Sequence, residues 1–432
     1  MVRIRHPKSG QALLSIVLSA AVLLLLAACR QPKTNKMFDP RQVAFGVQYD
    51  PLFDNQLYPS LILATNQTSV ERRPENGKSA TGSPLPATGS SFAVSLTAPA
   101  DNSVLRIVVD SSMLNYVTII QEILPRRGET YTFTPSLKWK YDILRRLRQP
   151  GTVDLTFTCY INDEEVDIKN LRLAYRSVNE CPLSLLYEGH ASDFRWLFAA
   201  YVNEDHPYIA QILSDILAQG NVSRLSGYQN GAQAVRDQVF AVWYYVLDRG
   251  IAYSSITCTS NPSPRANVQH IRFFDEVYDT RQANCVDACV FFASILRKIG
   301  LKPVIFVEPC HAYLGYYTDK NRKNIALLET TITSWVNFPE LERSLDEQGR
   351  LPEAQFEKVR KYLSDNDVKR YEEGRLDFAQ LKRVVARSLF DKATEYDRET
   401  YTANRAHFAD TASITYQQLD IELLRKQVQP VN

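Results

Sequence analysis

Residues 284–308, "NCVDACVFFASILRKIGLKPVIFVE", set the reading of the whole chain. Asn284 is a preferred helix N-cap, Asp287 puts negative charge in the first turn, and Gly300 suits a helix stop. "KPVIFVE" is then a β-branched run bounded by Gly300 and Pro309, the mark of a buried strand. Helix followed by strand places Cys285 at the first helical position. A thiol there meets the positive end of the helix dipole and backbone N–H groups that have no partner inside the helix. Both favour the nucleophilic thiolate, and the same N–H groups can receive an oxyanion.

Downstream, "HAYLGYY" from His311 reads as a second strand and "IALLETT" as a third, joined by the turn "TDKNRKN". His311 opens the second strand and Glu329 lies towards the end of the third. In an antiparallel pair they can stand side by side, with Glu329 accepting from one imidazole nitrogen and the other left to take a proton from Cys285. A free cysteine taken alone is more often a small buried hydrophobe. Cap, helix, histidine strand and acidic strand arriving in this order favour a triad.

Cys289, one turn along the same helix face, reads as core packing. A zinc site from Cys285, Cys289, Cys310 and His311 is disfavoured, because Cys310 and His311 are adjacent on a strand and point to opposite faces. His190, His206, His270 and His407 lack any ligand pattern around them and read as surface or capping residues.

The order Cys, His, acid on helix, strand, strand resembles the transglutaminase-like superfamily of papain-type cysteine enzymes. The resemblance covers residues 238–331. It implies an α+β fold, with Cys285 as nucleophile, His311 as general base and acid, and Glu329 as orienting carboxylate, with no metal or cofactor. It also implies an oxyanion donor upstream of the nucleophile, for which Gln269 in "NVQHIRFF" is the polar candidate. The substrate would be a peptide, protein or cell-wall amide, and hydrolysis and transamidation would use the same residues. Three positions depart from the family pattern: Ala283 and Cys310 stand where glycine is common, and Glu329 replaces the usual aspartate. The first two would crowd the cleft, which keeps open a non-catalytic binding or scaffold module.

Elsewhere the pattern assigns location and layout. A basic "MVRIRHPK", an apolar run to Ala28 and small residues before Cys29 form a secretory signal over residues 1–28. Leu26-Ala27-Ala28-Cys29 resembles a bacterial lipobox, which implies diacylglycerol on the Cys29 sulfur and attachment to a cell-envelope membrane outside the cytoplasm. A polar tether follows over 29–55. Residues 56–180 read as an antiparallel β-sandwich of immunoglobulin type: "YPSLILATNQ" is a short strand, a flexible Pro, Gly and Ser-rich insert covers 66–90, and from Ser91 to Cys181 runs of period two start near Phe92, Leu105, Tyr131, Val153 and Leu171, with a helical crossover at "LKWKYDILRRLR". The transglutaminase-like domain occupies 181–345, and charged amphipathic helices over 346–432 form a C-terminal extension packed on the core. A net charge of +2 in 432 residues argues against a nucleic-acid partner.

Overall fold

The computed structural model describes residues 43–65, 92–255 and 263–431. The expected signal segment, Cys29, the first part of the tether and the insert over 66–90 lie outside the described residues. Among the described residues, no helix is long and apolar enough to cross a membrane.

The N-terminal half holds β1 (Phe45–Tyr49), β2 (Gln56–Leu57), α1 (Pro59–Thr65), β3 (Phe92–Thr97), β4 (Ser103–Val109), β5 (Thr118–Leu124), β6 (Thr130–Phe133), α2 (Tyr141–Leu144), β7 (Gly151–Ile161) and β8 (Glu164–Tyr175). They form a three-stranded sheet, β1-β3-β6, and a five-stranded sheet, β2-β8-β7-β4-β5. Phe92, Val94 and Leu96 point inward along β3, and Phe92 packs on Phe157 of β7 with ring centroids 5.9 Å apart, so the two sheets share a core.

Four expectations are corrected here. The tether ends early, because Phe45, Val47 and Tyr49 alternate and pair with β3 as β1. "YPSLILATNQ" contains α1 instead of a strand. Its Leu61, Ile62, Leu63 and Ala64 are all buried, so no single apolar face shows in the sequence. β2 runs parallel to β8, so the sandwich is not purely antiparallel. The helical crossover shrinks to the short α2.

The C-terminal half opens with β9 (Glu180–Tyr187), β10 (His190–Asp193), α3 (Phe198–Tyr201), α4 (Pro207–Ala218), α5 (Gly231–Arg249), β11 (Ala252–Tyr253), β12 (Ala266–His270), α6 (Phe274–Thr280) and β13 (Gln282–Ala283). It continues through α7 (Cys285–Lys298), β14 (Pro303–Glu308), β15 (His311–Tyr317), β16 (Ile325–Leu328), α8 (Phe338–Arg343), α9 (Glu353–Arg360), α10 (Asp365–Glu372), α11 (Phe378–Glu395), α12 (Arg398–Ala409), β17 (Gln417–Asp420) and α13 (Ile421–Leu424). α5 ends at Gly250, whose φ of 75° is the left-handed cap that glycine adopts without steric cost.

The central sheet has order β16-β15-β14-β17 and is antiparallel throughout. α7 lies against β15 and β14 on one face. On the other face Tyr401 and Phe408 of α12 meet Phe306 edge-on, each 5.2 Å between centroids. The C-terminal segment is therefore corrected from an all-helical extension to one that supplies a strand. "QQLD" shows no strand pattern of its own, and it is drawn in because the β14 edge offers unpaired backbone groups that need partners. The molecule is α+β.

Candidate active site

The helix that carries Cys285 is anchored at its first turn. Asn284 Oδ1 accepts from the Asp287 backbone N–H at 2.9 Å, while Asp287 Oδ2 accepts from the Asn284 N–H at 3.0 Å, a reciprocal capping box. Asp287 is fully buried and also accepts from the Arg272 backbone at 2.8 Å and from its guanidinium at 2.7 Å. With Asp287 so held, Cys285 stands half-buried at the helix start. It lines a cavity of about 320 Å³ shared with His311, Glu308, Cys310 and Gln269.

His311 enters that cavity from a tight hairpin. β14 and β15 pair up to Glu308 opposite His311, leaving only Pro309 and Cys310 to turn the chain. Proline followed by a left-handed residue suits a type II turn, and Cys310 has φ 62°. Glu329 sits one residue past β16, as the cap of a 3-10 turn over Thr330–Trp335, and so falls just outside the strand expected to hold it. Its Oε2 meets His311 Nε2 at 2.7 Å, and its Oε1 accepts from the Thr331 backbone at 2.7 Å.

His311 Nε2 is thus committed to Glu329, which leaves Nδ1 for the Cys285 thiol. Hydrogen bonds to Cys285 first and to Glu329 second lift the imidazole pKa to about 10, against burial, which lowers it. For Glu329, burial alone would raise the carboxyl. The His311 hydrogen bond and charge, with the Thr331 contacts, overcome it and hold the group below the usual range. The structure therefore brings Cys285, His311 and Glu329 into one contiguous arrangement.

Gln269 lines the same cavity from β12, with its Nε2 donating to the His270 carbonyl at 2.9 Å. Cys289 is fully buried, and burial pushes its thiol well up. Cys310 is exposed. His206 caps α4, its Nδ1 accepting from the Tyr208 backbone at 3.3 Å.

Two acidic groups here carry no local sequence signal. Glu308 lines the cavity beside His311, with its Oε2 buried and without a hydrogen-bond partner. Asp397, from the start of α12, places a carboxyl oxygen within 4.8 Å of the liganding atoms of His311 and Glu329. These three could suggest a metal, but His311 Nε2 and Glu329 Oε2 are only 2.7 Å apart and joined through a proton. Two tetrahedral zinc ligands would stand roughly 3.3 Å apart. The geometry is that of a hydrogen-bonded relay. No protein-family model and no curated protein matches the chain.

Proposed function

We propose that this chain is a cysteine acyl-transfer enzyme of the transglutaminase-like class, acting on peptide or amide bonds through Cys285, His311 and Glu329. The observation that carries the proposal is the 2.7 Å bond from His311 Nε2 to Glu329 Oε2, with the Cys285 thiol on the other side of the same ring.

In the first step the Cys285 sulfur, as thiolate, attacks the carbonyl carbon. The oxyanion is received by the N–H groups of Cys285 and Val286, which have no partner within α7 because they lie in its first turn. Gln269 is placed to add a donor from β12. As the C–N bond breaks, the His311 imidazolium gives its Nδ1 proton to the leaving amine, and a thioester remains on Cys285. Water or a second amine then attacks the thioester carbonyl. His311 takes the attacker's proton and the Cys285 thiolate leaves, which gives an acid or a new amide. Through acylation at Cys29 the protein would be held at the outside of a bacterial envelope membrane, where cell-wall and surface proteins supply such bonds.

Labelling with iodoacetamide, mapped by peptide mass in a Cys310→Ser background, tests the assignment. Cys285 should be modified rapidly at pH 6, and Cys285→Ala should abolish turnover of amide substrates. Turnover that survives Cys285→Ala would sink the proposal. A binding module is favoured by one observation, the Cys310 side chain in the cavity wall. On that reading Cys285 would alkylate no faster at pH 6 than an ordinary thiol.

A further inference from the structure

Asp397 immediately precedes α12, a position where aspartate normally accepts hydrogen bonds from the first-turn N–H groups of its own helix. Here its side chain makes no such bond. The residue is only 5% exposed, and Oδ2 is buried without an N–H or O–H donor. Its carboxyl faces Glu329, which is fully buried, and lies with it and His311 inside one 4.8 Å cluster. The Glu329 backbone N–H donates to the Ala393 carbonyl at 2.9 Å, so residues 393–397 meet Glu329 through both backbone and side chain.

Two buried carboxyl groups that share a site this small do not readily ionise together, and the one with more donors keeps the charge. Glu329 has donors from His311 and Thr331, whereas Oδ2 of Asp397 has none. We propose that Asp397 is a positioning residue of this site: its carboxyl O–H donates to Glu329 and holds that carboxylate against His311. Burial first, then the charge and hydrogen bond of Glu329, raise the Asp397 pKa to about 8, which keeps the proton in place at neutral pH. The other titratable groups that sense it are His311, Glu308, the Tyr313 phenol and the Cys289 thiol. This inference rests on the triad reading above. It assigns the third member a support from the far end of the chain.

The test compares wild type with Asp397→Asn, Asp397→Ala and His311→Ala in the Cys310→Ser background. Its readouts are the rate of Cys285 alkylation by iodoacetamide at pH 7 and the side-chain carboxyl resonances of 13C-aspartate-labelled protein. The amide of Asp397→Asn still donates to Glu329, so that variant should recover most of the rate lost in Asp397→Ala, itself slowed about ten- to a hundredfold. The carboxyl resonance missing from Asp397→Asn should be that of a protonated acid at pH 7. A carboxylate shift at pH 6, or an Asp397→Ala protein that alkylates at the wild-type rate while His311→Ala is slowed, would overturn the role of Asp397 alone. An unslowed His311→Ala would remove the triad reading itself. Should Asp397→Ala fail to fold, the resonance and the Asp397→Asn rate still decide.

Discussion

Glu329, one residue past the end of β16, lies diagonally across from His311 at the edge of the central sheet. The last paired residues of β15 and β16 are Leu314 and Leu328, and extending that register by one residue would set Glu329 opposite Tyr313, two residues from His311. Diagonal neighbours in a sheet stand about 7–8 Å apart, a span that long side chains close and short ones do not. An aspartate, one methylene shorter, would fall short of the position from which Glu329 makes its 2.7 Å bond. Glu329→Asp is therefore expected to slow Cys285 alkylation and turnover about ten- to a hundredfold by loss of reach. Glu329→Gln keeps the reach but loses the charge and the tautomer it imposes, and turnover should fall by up to about 10⁴-fold. If Glu329→Asp is fully active, the diagonal geometry does not matter to the chemistry.

Arg272 and Asp287 form the second critical pair, a buried ion pair beneath the first turn of α7 with side-chain exposures of 10% and 0%. Removing one partner strands the other's charge in the interior, at a cost of about 3–5 kcal/mol. Arg272→Ala should lower stability by that amount in urea unfolding and should loosen the Cys285 turn, with slower Cys285 alkylation as the readout. Near wild-type stability in this variant would show that water reaches Asp287.

The legible parts of this molecule are those with local chemistry. Asn284 and Asp287 announced a capped helix, and the alternation around Phe92, Leu105, Tyr131, Val153 and Leu173 marked five of the sandwich strands. β5 escaped because its Ile119 and Ile123 are exposed on the sheet edge and break the inward pattern. β17 escaped because its pairing is decided by β14, more than a hundred residues earlier. The same reason hides Asp397. Its position before an amphipathic helix reads as a routine cap, and only the packing of α12 over the central sheet turns its carboxyl towards Glu329.

Cys310 occupies a left-handed position, φ 62°, that costs an L-residue roughly 1 kcal/mol relative to glycine. Cys310→Gly should therefore keep the Pro309 turn and raise stability by up to about 1 kcal/mol, partly offset by the greater freedom of glycine in the unfolded chain. Thermal unfolding would measure this. Cys285 alkylation in the variant should be unchanged or faster, since a side chain leaves the cavity wall. A destabilised variant would mean that the Cys310 side chain makes a contact worth more than the strain.

The raised pKa values at His311 and Asp397 make stability fall with rising pH, in two overlapping windows. His311 has a folded pKa of about 10, above its unfolded value, so the folded state binds its proton more tightly. That contribution is complete below about pH 6.5, the unfolded value, and is lost as pH climbs towards the folded one. Asp397 is held to about 8 in the folded state and releases its proton near pH ~3.9 when unfolded, so its contribution declines between those values. Glu329 has the opposite sign. Its folded pKa is depressed, and the stability it adds is present above the unfolded value and lost in acid. Between about pH 6.5 and 8 the first two declines coincide, so urea midpoints should drop most steeply there. His311→Ala should remove the alkaline part of the slope, and Asp397→Asn the part below pH 8. A midpoint that stays flat from pH 6 to 9 in the wild type would show that neither proton is held more tightly by the folded chain than by the unfolded one.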